Sequence, residues 1–183
     1  MVGNGIELNI MPVVTTTWGQ WRAQHPDSKV LAPNTGFARD YTPNSAYGDY
    51  FSSPNLIFPA LTPDERLDQK DQVFGLRISG AEKAWPLTSF TGGRVINDRI
   101  GTVNLVVVGD AASRSVRAYR SGGRQFEKLN DDLKLIAHNG QSWKVSESDL
   151  IGPDSETLSR LPGHLPYWFA WSNYLEKADF FTE

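Results

Sequence analysis

Few side chains in this sequence are both chemically reactive and placed where the sequence suggests a functional site. Three histidines occur, His25, His138 and His164, and their spacing matches no local metal-binding motif. His164 is the best placed, because it lies in a rigid Pro-Gly-His-Leu-Pro loop and imidazole transfers protons near neutral pH. Loops also carry histidines without a chemical role, and that interpretation is favoured. We predict no metal site and keep His164 as a catalytic candidate.

Asp110 is the carboxylate in the most suggestive position. It closely follows the apolar run 105–108, which predicts a buried strand. A carboxylate at the end of such a strand could act as a general base or a ligand. It could equally cap a turn into Ser113 by hydrogen bonding to the backbone, as Asp does in Asx turns. The turn is the favoured interpretation, and Asp110 remains the second catalytic candidate.

Composition excludes several classes of function. The 183 residues include no cysteine, which removes disulfides, thiolate metal sites and Cys nucleophiles. Neither the Gly-x-Ser-x-Gly of α/β-hydrolases nor a phosphate-binding P-loop occurs, so no cofactor is predicted. The formal net charge of −3, without a long block of like charge, argues against a nucleic-acid partner. A protein or a small molecule is the expected class of ligand.

No segment predicts membrane insertion or export. The longest apolar run is far too short to span a bilayer. The first residues lack the basic and apolar regions of a signal peptide. A local basic cluster comprises Arg114, Arg117, Arg120 and Arg124. Alternation along a strand predicts solvated charge at a sheet edge, and Arg120 is kept as a candidate ligand-binding residue.

A tryptophan spacing occurs twice. Pro12 is followed by Trp18 and Trp21, and Pro162 by Trp168 and Trp171, so the copies are offset by 150 positions (168 minus 18). The same offset matches Leu8 with Leu158, Met11 with Leu161, Val30 with Phe180 and Leu31 with Phe181. Paired indoles could stack a ligand, but a device repeated at both chain ends favours packing. We predict that Trp18 and Trp168 are both buried, in pseudo-equivalent positions.

The elements expected to position these residues are short. Near the N-terminus, alternation predicts a strand at 6–11, Thr17 predicts the start of a helix through Gln24, and 29–31 predicts a strand. Residues 32–71 are rich in Pro and aromatic residues, which predicts an ordered irregular segment pinned by aromatic side chains. One helical turn is expected at 62–65. Tyr47 and Tyr50 are candidate ligand-binding residues in this segment.

The chain from residue 72 is predicted to be β-rich. Strands are expected around 73–78, 95–97, 102–108, 115–119, 133–137 and 142–145, with one turn at 87–90. Asn139-Gly140 is the strongest hairpin signal. Pro166 predicts the first position of a second helix, 167–175, before a strand at 178–181. The expected class is α+β and β-rich, a mostly antiparallel sheet or small barrel with two short Trp-bearing helices near the chain ends.

One domain, 1–183, is expected in three parts. Residues 1–31 are interpreted as the closing element of a preceding repeat, 32–71 as the irregular segment, and 72–183 as a complete β-rich module. This interpretation depends on the tryptophan repeat.

Four segments resemble the bacterial and archaeal family known as domain of unknown function 3179. They are Val13-Val14-Thr15-Thr16-Thr17-Trp18-x-x-Trp21-Arg22-Ala23-x-His25-Pro26-Asp27, Asn34-Thr35-Gly36-Phe37-x-Arg39-Asp40-Tyr41, Val73-Phe74-Gly75-Leu76-Arg77-Ile78 with Ala84-x-Pro86-Leu87, and Trp168-Phe169-Ala170-Trp171. The resemblance implies a duplicated organisation and an extracytoplasmic location. Many members carry Cys-Pro-Leu-Cys where this chain has 109–113, so no thiol role carries over.

The sequence favours a non-enzymatic extracytoplasmic binding or structural domain. This hypothesis depends on the missing catalytic motifs, the aromatic segment and the repeat. One alternative is a hydrolase-like enzyme with a site near Asp110 and His164. Another is a metal-binding protein that uses histidines and carboxylates.

Overall fold

A computed structural model describes residues 10–43, 45–130, 132–175 and 177–182. The match of Leu8 to Leu158 and most of the strand predicted at 6–11 lie outside the described residues. Ile10 and Met11, the described end of that segment, belong to no strand. The strand predicted at 29–31 is wrong, because these residues form no strand either.

The described part contains eleven strands and three α-helices. The strands are β1 (Val73–Ile78), β2 (Ala81–Pro86), β3 (Arg94–Ile100), β4 (Val103–Asp110), β5 (Ser115–Arg120), β6 (Glu127–Lys128), β7 (Leu135–His138), β8 (Gln141–Val145), β9 (Asp149–Ile151), β10 (Thr157–Leu161) and β11 (Asp179–Phe180). The helices are α1 (Trp18–Gln24), α2 (Gly48–Ser52) and α3 (Trp168–Tyr174). The predicted β-rich class with short Trp-bearing helices is confirmed, as is the turn at Leu87–Phe90.

Eight strands form an antiparallel sheet that nearly closes into a barrel. Their order is β3-β4-β5-β10-β9-β8-β7-β6. Across the gap between the edge strands, the Asn97 side-chain amide donates to the Phe126 carbonyl and its oxygen accepts from the Phe126 N–H, both at 2.7 Å. The predicted hairpin joins β7 and β8, with Asn139 and Gly140 both at positive φ as a type I′ turn requires.

Strand β4 is buried on both faces, which explains its unbroken apolar run. Leu105 and Val107 belong to a cluster that includes Phe74 and Trp85 of the smaller sheet. The alternate residues, Val106 and Val108, belong to a second cluster around Trp143. Because successive side chains of a strand point to opposite faces, one strand serves both clusters.

The smaller sheet has the order β1-β2-β11 and carries α3. Strands β1 and β2 form an antiparallel hairpin, and β11 adds to β2 in parallel. Trp168 and Trp171 are buried against Val73 and Ala84, which confirms the predicted burial of Trp168. The helix begins one residue later than predicted: Tyr167 is its N-cap, so Pro166 precedes the helix.

Helix α1 has the local geometry of α3 but not its burial. Thr17 is the N-cap of α1, as predicted, and its side-chain hydroxyl accepts a hydrogen bond from the Gln20 N–H. The prediction that Trp18 is buried is wrong: half of Trp18 and 40% of Trp21 are exposed. The reason is that none of the described sheets covers that side of the helix, and no residue of α1 is buried.

The irregular segment is ordered by fewer aromatic contacts than predicted. Most of its large apolar side chains are exposed, namely Phe37, Tyr41, Tyr47, Phe51, Ile57, Phe58 and Leu61. Lys70 instead anchors part of it, because its ammonium donates to the carbonyls of Tyr50 and Ser53 and lies over the Tyr50 ring. Residues 62–65 contain no helical turn, which corrects that prediction.

Candidate functional site

A polar cleft of about 690 Å³ lies between α1 and the barrel. Its residues come from α1 and the segment before it, from β4 and β5, from the loop before β7, and from β8 with the loop after it. The side chains that matter chemically are Gln20, Asp110, Ser115, Arg117, Lys144 and Glu147. Helix α1 thus turns Gln20 toward the cleft, whereas Trp18 and Trp21 do not line it.

Asp110 lines this cleft but serves first as a turn cap. Its carboxylate accepts from the Ser113 N–H at 2.8 Å and from the Ser113 hydroxyl at 2.6 Å, so the predicted capping role is confirmed. Partial burial alone would raise the pKa of Asp110, but the hydrogen bonds from Ser113 and Ala112 and the charge of Lys128 outweigh it and lower the pKa. A carboxylate held in its charged form by such bonds is a weak general base at neutral pH.

An arginine–glutamate network borders the cleft, which Arg117 and Glu147 line. Arg117 donates to Glu147 Oε1 through Nε and Nη2, and to the Ser115 hydroxyl through Nη1. Arg160 donates to Glu147 Oε2 at 2.6 Å. The prediction of solvated edge charge is therefore wrong for Arg117, because β5 lies inside the sheet between β4 and β10.

The charge of Glu147 stabilises the fold in a defined pH range. Burial alone would raise the pKa of Glu147, but Arg117 and Arg160 outweigh burial and lower it. A folded-state pKa below that of the unfolded chain adds stability above the unfolded pKa, and this stability is lost as the pH falls through the folded pKa. We expect Glu147→Ala to lower the free energy of unfolding at pH 7 by about 2 kcal/mol, since both arginines lose their partner at a partly exposed site.

Urea unfolding of both chains from pH 7 to pH 3 measures this effect. The difference should shrink as the pH falls through the lowered folded-state pKa of Glu147, because the carboxylate then loses its charge in the folded chain as well as in the unfolded chain. Glu156→Ala is the matched control, since Glu156 pairs with Arg124 on an exposed surface and its removal should cost less than about 1 kcal/mol. Equal losses in the two variants, or a loss that is independent of pH, would contradict this role of Glu147.

His164 lies away from the cleft. Its backbone pairs with Gly75 of β1, and its ring meets the Trp171 ring at 5.9 Å between centroids. Although the side chain is open to solvent on one side, the desolvation of its ring lowers the pKa of His164. His164 does not line the cleft, so the cleft unites Asp110 with Arg117 and Glu147 rather than with His164.

The other histidines also have structural contacts. His25 packs against Trp21, with ring centroids 4.1 Å apart. His138 Nδ1 is hydrogen-bonded to the Gln125 carbonyl at 2.7 Å. Within the described ranges, no three His, Asp or Glu side chains lie where they could jointly hold a metal ion.

The remaining candidates occupy two other places. Tyr47 and Tyr50 line a small apolar pocket of about 220 Å³, together with Phe51, Ile57, Phe58 and Phe169. Arg120 is exposed at the end of β5 and lines neither this pocket nor the polar cleft.

Sequence reasoning missed the residues that complete the cleft. Glu147 stands in an unremarkable Ser-Glu-Ser stretch, and only the pairing of β5 with β10 brings Arg117 and Arg160 to it. Residues 117 and 120 of a strand lie on opposite faces, so the spacing of these arginines separates them. No local pattern could predict that the face of β5 that carries Arg117 is covered by other parts of the fold.

A sequence profile of the family described as protein of unknown function, DUF3179, matches residues 2–178. This chain belongs to that family. The earlier resemblance is thereby confirmed at the level of the family. No curated protein and no solved structure matches the chain. Among the described residues of this DUF3179 protein, none of the helices is long and apolar enough to cross a membrane.

Proposed function

We propose that this DUF3179 chain is a non-enzymatic binding domain whose ligand is another protein. The observation that carries the proposal is where its exposed apolar side chains lie. Of the sixteen large hydrophobic residues exposed in the described part, fourteen lie in residues 10–61, and only Leu129 and Tyr174 lie elsewhere. Contiguous exposed apolar patches mark interaction surfaces, and four of the fourteen, Tyr47, Phe51, Ile57 and Phe58, meet around one pocket.

The types of these residues support a protein ligand. The apolar surface of residues 10–61 includes Trp18, Trp21, Phe37, Tyr47, Phe51 and Phe58. Aromatic side chains are enriched in protein interfaces, where they bury a large area at a small cost in side-chain entropy. The small pocket between Tyr47, Tyr50 and Phe58 offers a place for one apolar side chain of a partner.

Photo-cross-linking tests the proposal. A benzophenone amino acid at Phe58, which is 80% exposed, should give a discrete adduct with one partner in the native host. The same probe at Leu129, which is exposed on the barrel, is the matched control and should give none. The same diffuse labelling from both positions, or no adduct from Phe58, would count against a protein ligand.

The alternative is an enzyme with a site near Asp110 and His164. The polar cleft that contains Asp110 supports it, because clefts of several hundred cubic ångströms suit small molecules. Two observations weaken it: the Asp110 carboxylate is occupied in capping a turn, and His164 does not line the cleft. Hydrolysis that is retained in full by Asp110→Asn would rule out this site.

An extracytoplasmic location is part of the same proposal and is supported by the family resemblance. Fractionation of the native host tests it, since recovery of the protein only with cytoplasmic markers would contradict it.

A further inference from the structure

The tryptophan repeat is also a repeat of backbone conformation. Helices α1 and α3 have seven residues each, and their N-caps, Thr17 and Tyr167, have φ/ψ of −74°/152° and −72°/152°. Their C-caps, His25 and Leu175, have −130°/70° and −133°/59°. Each C-cap N–H donates to the carbonyl of the second tryptophan of its helix. The two segments therefore fold alike without sharing their surroundings.

The surroundings of α3 show what such an element does. Trp171 lies directly over Gly75 of β1, so closely that a Cβ there would be 2.3 Å from the ring. After the helix, β11 joins β2 in parallel, pairing Asp179 with Lys83 and Phe180 with Ala84. The element is thus a helix that packs two indoles against a hairpin, followed by a strand that pairs with the edge of the same hairpin.

Helix α1 carries the same tryptophans but presents them to solvent. The Trp21 indole N–H donates to the Ser28 hydroxyl at 2.9 Å. Burial of the Trp21 ring would therefore leave no unpaired donor, whereas the equivalent N–H of Trp171 is buried without a partner. Val30 and Leu31, at the repeat positions of Phe180 and Phe181, are exposed as well.

We propose that residues 17–31 dock on a β-hairpin of another DUF3179-type module as residues 167–181 dock on β1 and β2. The inference rests on the proposed function and names its partner. The partner hairpin carries a glycine beneath Trp21, as Gly75 lies beneath Trp171. Its free strand edge receives Lys29 and Val30 as a parallel strand, because the repeat places them at Asp179 and Phe180, the residues of β11 that pair with β2.

A second copy of this chain does not fit as the partner. Its own hairpin is already occupied by α3. Moreover, the repeat places Arg22 at the position of Ser172, which is only 2% exposed. A guanidinium in that position would be buried where only the small Ser172 side chain fits, its hydroxyl donating to the Trp168 carbonyl, which is unfavourable. The partner is therefore a related but different module, with a carboxylate near Arg22.

Cross-linking at Trp21 tests the partner separately from the proposed function. A benzophenone amino acid at Trp21 should give an adduct that mass spectrometry maps to a glycine-containing strand of a DUF3179 module. The sequence of the adduct shows whether that module belongs to the same polypeptide or to another. Arg22→Glu should abolish the adduct. An adduct at Phe58 but none at Trp21, or one that maps to an unrelated protein, overturns this inference and leaves the proposed function standing.

A transplant within the chain tests whether the two helices are interchangeable. Phe169→Gly, Ala170→Gln and Tyr174→Gln give α3 most of the α1 sequence while keeping Ser172 and Asn173. We expect this variant to fold cooperatively with both indoles buried. Adding Ser172→Arg should then lower the melting temperature by roughly 10 °C. Failure of the triple variant to fold would overturn the proposed equivalence of the two helices. An unchanged melting temperature on adding Ser172→Arg would overturn the argument against a second copy.

Discussion

Trp168→Ala should lower the free energy of unfolding by about 3–5 kcal/mol, because it removes a large, fully buried side chain. Trp168 is 1% exposed and packs with Val73, Ala84 and Phe180, and its indole N–H donates to the Asp64 carbonyl at 3.0 Å. The variant therefore loses packing and also leaves that carbonyl without its donor. In a chain of this size, such a loss lowers the melting temperature by roughly 10 °C.

Trp18→Ala is the matched control, because Trp18 occupies the same position of the repeat. Half of its side chain is exposed, so we expect a change of less than about 1 kcal/mol. Denaturant unfolding followed by circular dichroism measures both variants. Similar losses in the two would mean that α1 is packed in the free chain, which would contradict the exposure of its tryptophans.

Gly75→Val should destabilise the chain by about 3 kcal/mol through overpacking. Ring atoms of Trp171 lie 2.3–2.8 Å from where a Cβ of residue 75 would stand, and an indole fixed in the core cannot swing away. The backbone at Gly75 has no freedom to yield either, since its N–H and carbonyl both pair with His164. Thermal unfolding and tryptophan fluorescence should report a displaced Trp171.

Gly19→Ala provides the control for this substitution. Nothing lies within 4 Å of the Cβ that alanine would add, and Gly19 is inside α1. Alanine favours the helix over glycine by about 1 kcal/mol, so this variant should be neutral or slightly more stable. A comparable loss in both variants would show that the cost at residue 75 does not come from contact with Trp171.

Local patterns predicted the β-rich part of the fold well. The Asn139-Gly140 turn, the strand at 115–119 and both tryptophan helices follow from short-range chemistry, and each is present. The burial of α1 was mispredicted, because burial depends on what lies opposite a helix and not on its own spacing. The strand predicted at 29–31 fails for a related reason, since a strand needs a neighbour to pair with.

The candidate site was only partly predictable. The role of Asp110 as a cap follows from its position before Ala-Ala-Ser, because Asx turns are local. Glu147, which accepts from Arg117, comes from the loop after β8, and the second arginine that binds Glu147 comes from β10. Sequence distance conceals both contacts. His164 was singled out for its rigid loop, and that loop in fact places its backbone beside β1.

The closure of the barrel by Asn97 limits how copies of this protein can aggregate. Unpaired backbone at the edges of a sheet is the usual template for growth into fibrils. Here the Asn97 amide meets the Phe126 backbone across the gap, so a side chain takes the place of the missing neighbour. A strand from another copy that paired with β3 at this point would first have to displace both bonds.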